Sequence, residues 1–183
     1  MGHNVSGAAV RAAVCWGLMA WLAQGAPAAA KPFVGFERGM GIGGWLTNYK
    51  RFNVLPDAWK MELSPGDYEH FESYITQEDV RNIASFGVDH IRLGFDQVVL
   101  EEKPYVYRER TFRCIDNFVA WCRASNLNVV LNLHKAVGNY CDVPSTVALL
   151  DDAELQNRFV ALWLEFERRY HATTPLSLSC STR

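Results

Sequence analysis

Arg92 and His134 are the residues of this 183-residue chain whose type and placing could do chemistry. Each stands near the end of an apolar run, VDHIRLGFD (Val88 to Asp96) and NVVLNLHKA (Asn128 to Ala136). A guanidinium can hold a carboxylate ionised and oriented through its planar fork. An imidazole can exchange hydrogen bonds or a proton near neutral pH. Successive side chains of a strand point to opposite faces. Ile91 and Leu93 therefore share one face, and His90, Arg92 and Gly94 the other. In the second run Val129, Leu131 and Leu133 oppose Val130, Asn132 and His134.

The elements that must position these residues follow a simple grammar. ITQEDVRNIASFG has Thr76 as N-cap, Val80, Ile83 and Ala84 at helical spacing, and Gly87 where a left-handed cap is wanted. The strand at Val88 to Phe95 follows directly. After the turn-rich EEKPYVY, the segment TFRCIDNFVAWCRAS carries Ile115, Phe118, Val119 and Cys122 on one helical stripe. The strand Asn128 to Leu133 comes next, then the loop HKAVGNYCDVPST. A last helix is expected from about Asp151 to Tyr170, with Leu155, Phe159, Leu162, Trp163 and Phe166 on its apolar face. With a first strand in FVGFERGMGIGGWL, this gives three β/α units and predicts an α/β protein with a parallel sheet. The unit length is that of an eight-fold (β/α)₈ barrel, in which inward polar residues at strand C-termini carry the chemistry. Such barrels need roughly 250 residues, so this chain reads as the first three or so units, cut before strand 4 is complete.

Composition narrows the partners. A formal charge of −2 with no Lys/Arg cluster makes nucleic acid and anionic membrane poor candidates. Aromatics make up 13% of the chain, a surplus that suits a ligand with an affinity for aromatic faces. Residues 1–30 read as a leader: Arg11 precedes the apolar AAVCWGLMAWLA, and AQGAPAAA offers a small-residue cleavage site. The apolar run is too short for stable membrane insertion. The expected location is secreted, or cytoplasmic if this segment is not a signal. Cys114, Cys122, Cys141 and Cys180 form no C-x-x-C pair, and nothing has metal-ligand spacing, so neither a metal site nor a cofactor is expected. Their spacing chooses no disulfide partners.

Each candidate has two readings. Arg92 inside a barrel mouth needs a partner, either a catalytic carboxylate that it supports or a structural ion pair. His134 either binds a sugar hydroxyl or is a hydrogen-bonded interior histidine. The glycine run Gly39, Gly41, Gly43 and Gly44 invites a dinucleotide reading, but that fingerprint must open a helix, and WLTNYKRFNVLP has no helical period. A tight turn that sets Trp45 at the mouth of the site fits better. Among the loop aromatics, Tyr49, Phe52, Trp59, Tyr68, Phe71 and Tyr74, all but one or two are expected to pack rather than to stack on sugar rings.

The chain resembles glycoside hydrolase family 5, the cellulase-like clan of (β/α)₈ barrels. The matching residues are RGMGIGGWL (Arg38 to Leu46), GVDHIR (Gly87 to Arg92), the Leu133-His134 strand ending, and Gly138-Asn139 after it. They span about Phe33 to Tyr170. The resemblance implies that Arg92 supports a nucleophile and that His134 lines the subsite where the bond is cut, with Trp45 and Asn139 as further substrate-facing residues. It implies retaining hydrolysis of O-glycosyl bonds in a polysaccharide such as a β-glucan or cellulose, by two Glu carboxyls roughly 5 Å apart.

Neither family Glu is expected here. The acid/base belongs to an Asn-Glu pair ending strand 4, and no such dipeptide occurs in the sequence. Residues 31–170 thus read as a partial barrel, and 171–183 (HATTPLSLSCSTR) as an aberrant tail with no strand at its start. Ser179 to Arg183 can be encoded AGC TGC TCA ACG AGG after a codon ending in G. One base earlier, the same string reads Glu-Leu-Leu-Asn-Glu, so a frameshifted strand 4 is the expectation; a locus with no such offset removes it. The expected chain is inactive and, with an open sheet edge, insoluble or chaperone-bound. The alternatives are a secreted, non-catalytic carbohydrate-binding or interaction fragment and a nucleotide-binding α/β domain.

Overall fold

A computed structural model of the chain describes residues 35–47, 62–139, 148–171 and the backbone of 176–180. These all lie in the compact unit Val34–Arg183. The order is β1 (Gly39–Leu46), α1 (Pro65–Ser73), α2 (Gln77–Ser85), β2 (His90–Asp96) and the short α3 (Gln97–Leu100). A small hairpin of β3 (Glu101–Lys103) and β4 (Val106–Tyr107) follows, then α4 (Glu109–Ala124), β5 (Asn128–Lys135), a single 3-10 turn (Ala148–Leu150), α5 (Ala153–Tyr170) and β6 (Leu176–Cys180). The main sheet runs β1-β2-β5-β6, with every pair parallel. Three strand-to-helix crossovers therefore link four adjacent strands, the α/β arrangement expected.

Local chemistry accounts for the helices. Asp79 Oδ2 accepts from the Thr76 amide at 2.7 Å, and Thr76 Oγ1 accepts from the Asp79 amide at 3.2 Å, a reciprocal cap that starts α2. Gly87, at φ +74°, stands past its end as expected. The helix α1 was not foreseen; its segment reads as an aromatic loop. Its start is nevertheless written in the sequence, as Pro65 in the first turn behind Ser64, whose amide donates to Asp67 Oδ2 at 2.7 Å.

The core lies between the sheet and the helices. Ile91, Leu93, Phe95, Val129, Leu131 and Leu133 meet Phe112, Ile115, Phe118 and Cys122 of α4 and Leu162 and Phe166 of α5, all buried. Phe95 stacks on Phe166 with ring centroids 4.8 Å apart. Each such aromatic removed from water contributes about 1.5–3 kcal/mol. The alternation drawn from the sequence holds: the apolar set faces the helices, and Arg92, Asn132 and His134 share the other side.

Two expectations are corrected. Trp45 does not stand at a site mouth; it is 2% exposed, edge-on to Phe118 at 5.6 Å, and its Nε1 donates to the Phe71 carbonyl at 2.7 Å. The β1–β2 register shifts between Ile42 and Leu46, with Gly44 at φ +74°, and this irregularity turns the indole into the helix layer. The tail does carry a strand: β6 pairs in parallel with β5 from Val129↔Leu176 to Leu133↔Cys180. The backbone of β5 offers a complete row of hydrogen-bonding groups on that side, and the alternating LSLSC segment satisfies it.

Candidate functional site

Register brings the candidate residues together. Arg92 lies opposite Val130 and Gly94 opposite Asn132 in the β2–β5 ladder, and His134 follows Asn132 by two on the same face. Arg92 is exposed on that face, whereas Asn132 is 2% exposed. The Arg92 Nη2 group donates to Asn132 Oδ1. The partner expected for Arg92 was a carboxylate; among the described residues it is this side-chain amide. Asn132 went unnoticed as a site residue, although its place between Arg92 and His134 on the face was legible from the alternation. His134 is half-buried, with its Cβ beside Gly94.

Asn139 closes a turn just past β5. Its amide donates to the Ala136 carbonyl at 3.0 Å, Gly138 holds φ +79°, and the Gly138 carbonyl accepts from the Leu149 amide at 3.0 Å. A side chain at Gly138 would be strained at this φ and would also crowd the Leu149 backbone and the tip of Leu155. Asn132, His134 and Asn139 thus occupy the C-terminal half of β5 and the turn after it, where α/β sheets hold ligands, and Arg92, third of the seven residues of β2, reaches Asn132 from the neighbouring strand.

Carboxylates close to these strand ends are buried. Asp96, opposite Lys135, is fully buried, as is the lysine at 3% exposure. Glu101 is 2% exposed and accepts from Arg158 Nε at 3.2 Å and Nη2 at 3.0 Å. Among the described residues no cluster of three metal-ligating side chains occurs.

The remaining expectations sort as follows. The glycines at 39, 41, 43 and 44 lie within β1 rather than opening a helix. Phe71 is core, Tyr68 lies under the Arg110 guanidinium at 4.5 Å, and Tyr74 donates its hydroxyl to the Gly43 carbonyl at 2.8 Å. Tyr49, Phe52 and Trp59 lie outside the described residues. Cys114 and Cys122 are buried free thiols. No helix among the described residues is long and apolar enough to cross a membrane.

A comparison with known proteins decides the kinship. Endoglucanase C of Acetivibrio thermocellus is 34% identical over 139 residues, covering 75% of this chain and 36% of that protein. The chain is related to the cellulase-like glycoside hydrolases of family 5. Cellodextrinase A of Ruminococcus flavefaciens is 30% identical over 139 residues, 74% of this chain and 36% of that enzyme. In structure, a GH5-4 broad-specificity endoglucanase from an uncultured bovine rumen ciliate superposes with a TM-score of 0.54 at 18% identity, over 77% of this chain and 37% of that one. At that identity the likeness speaks for the family's barrel fold. No family model matches the chain. The chain spans little more than a third of the length of the curated relatives it matches, 36% in both cases.

Proposed function

We propose that this chain supplies the saccharide-facing strand ends of a β-glucan-directed glycoside hydrolase, with Arg92, His134 and Asn139 as its sugar-contacting or supporting residues. The observation that carries the reading is the Arg92–Asn132 hydrogen bond, with His134 two residues further along the same strand face. It fixes a cationic donor on the strand face that also carries the His134 imidazole, with the Asn139 turn following β5. That set of donors and acceptors suits ring hydroxyls.

On their own these 183 residues bind and do not cleave. Retaining hydrolysis needs two carboxyls roughly 5 Å apart, one free to attack and one free to donate a proton. Among the described residues, Glu101 is instead buried and committed to Arg158. The leader, residues 1–30, acts as a secretory signal in this reading, and the N-terminal sequence of the exported product tests that part.

Titration of the purified chain with cellotetraose and with a laminari-oligosaccharide, beside a reducing-sugar assay, tests the whole. Saturable binding of either glucan without release of reducing ends is the expected result. Absence of binding to both would remove the proposal. Turnover above the solvent rate would remove the claim that the chain alone does not cleave.

A further inference from the structure

Behind the strand ends lies a buried polar chain that the reading above leaves unused. Glu101, on β3, accepts four hydrogen bonds. Its Oε1 takes Arg158 Nε at 3.2 Å and the Tyr105 amide at 2.8 Å, and its Oε2 takes Arg158 Nη2 at 3.0 Å and Gln97 Nε2 at 2.8 Å. Gln97 then passes the connection on, its Oε1 accepting from the Val137 amide at 3.1 Å. Arg158, Glu101 and Gln97 are 4%, 2% and 1% exposed. Groups so deeply removed from water persist only when each is fully paired.

The chain ends on the Val137 amide, in the turn that follows β5. In Ala136–Asn139 the Ala136 carbonyl takes the Asn139 amide, and the Gly138 carbonyl takes the Leu149 amide. Val137 is 1% exposed, and its amide points to Gln97 instead. Gln97 must offer an acceptor to that amide and a donor to the Glu101 carboxylate. A primary amide does both at once, which also fixes which way round it sits. Glutamate would meet Glu101 with like charge, and an apolar side chain would serve neither neighbour.

We propose that Arg158, Glu101 and Gln97 are positioning residues: through the Val137 amide they set the turn that carries Asn139, and so hold Asn139 past the end of β5 for the saccharide. The saccharide half rests on the function proposed above; the setting of the turn does not. The helix α5 and the α3–β3 segment are thereby joined to the turn that follows β5.

The test uses the whole chain and two readouts, cellotetraose affinity and amide hydrogen exchange at Val137 and Asn139. Gln97→Met keeps length and removes both polar groups. It should weaken cellotetraose binding about tenfold, the scale of one buried hydrogen bond with its desolvated partner left over, and should speed exchange at Val137. Ile115→Val, a core change on α4, should cost stability and leave affinity unchanged, which separates positioning from general weakening. Gln97→Glu serves if the Met variant does not fold. Its introduced carboxyl, beside Glu101, can donate only while protonated, so the ratio of its affinity at about pH 5 to that at about pH 7 should exceed the parent's. Unchanged affinity in Gln97→Met, or a pH profile in Gln97→Glu that matches the parent's, overturns the proposal. If the parent chain binds no cellotetraose, the function proposed above falls; the exchange data then decide this proposal, and full protection of Val137 and Asn139 in the variant overturns it.

Discussion

Arg92 and Asn132 face each other diagonally across the β2–β5 ladder and share a hydrogen bond from guanidinium to amide carbonyl. The arginine is exposed while the asparagine is buried, so the pair is a charged head anchored to a fixed acceptor. Asn132→Ala should therefore release the guanidinium. A loss of about 1 kcal/mol is expected in denaturant unfolding, near the middle of the range for such bonds, along with weaker cellotetraose binding. An unchanged affinity would mean that the orientation of Arg92 does not matter to the sugar.

Trp45 offers the converse test. With its indole in the core and its Nε1 bonded to the Phe71 carbonyl, Trp45→Phe should destabilise the chain by roughly 1 kcal/mol. Saccharide affinity should stay as it was. A variant of full stability with lost binding would return Trp45 to the site.

The Arg158–Glu101 pair should behave as buried pairs do. Arg158→Met alone strands a carboxylate in the interior and should cost about 3–5 kcal/mol. Replacing both, as Arg158→Met with Glu101→Leu, should recover much of that loss. A double-mutant cycle on unfolding free energies measures the coupling, and additive losses would show that the two groups are independent.

Acid should loosen the other end of the sheet. Asp89 shares a hydrogen bond with His90 Nδ1 at 2.6 Å and accepts from the Glu37 and Arg38 amides at 2.9 and 3.1 Å. The His90 bond first, and the two amides after it, hold the Asp89 carboxyl below the usual aspartate range. A depressed folded value means that its stabilisation is complete above the unfolded value of about 3.9 and is lost as pH falls through the folded one. Exchange at the Glu37 and Arg38 amides should rise in that window for the parent, whereas Asp89→Asn should show no such step. An identical acid profile in both proteins would assign the effect to another group.

Burial pushes the Cys114 thiol up to about 11 and the Cys122 thiol up to about 12. The thiolate is the reactive form, so both should resist iodoacetamide at neutral pH until the chain unfolds. Peptide mapping after brief alkylation checks this; rapid labelling of Cys122 in folded protein would contradict its place in the core.

Periodicity carried much of this architecture in plain sight. The stripe Ile115, Phe118, Val119 and Cys122 is buried as drawn, and alternation alone put Arg92 and His134 on one face. What escaped was of two kinds. The helix α1 and the strand β6 have weak local signals that tertiary contacts override: Phe71 is pinned under Trp45, and β5 supplies a ready edge for LSLSC. The Arg158–Glu101–Gln97 chain spans 57 residues from carboxylate to guanidinium. Gln97 and Glu101 are only four residues apart, but no local pattern marks the chain, because Arg158 reaches them only once α5 has packed.

That separation also sets an order in time. Closing the link from Glu101 to Arg158 requires β5 and α5 to be in place, so its loop entropy is met late, after the helices have found the sheet. Contacts made beyond the transition state leave the folding rate nearly alone and govern how fast the native chain comes apart. The turn bearing Asn139 would then be the last part of this face to settle and the first to let go, and the lifetime of the assembled face would be written in the departure rate of α5.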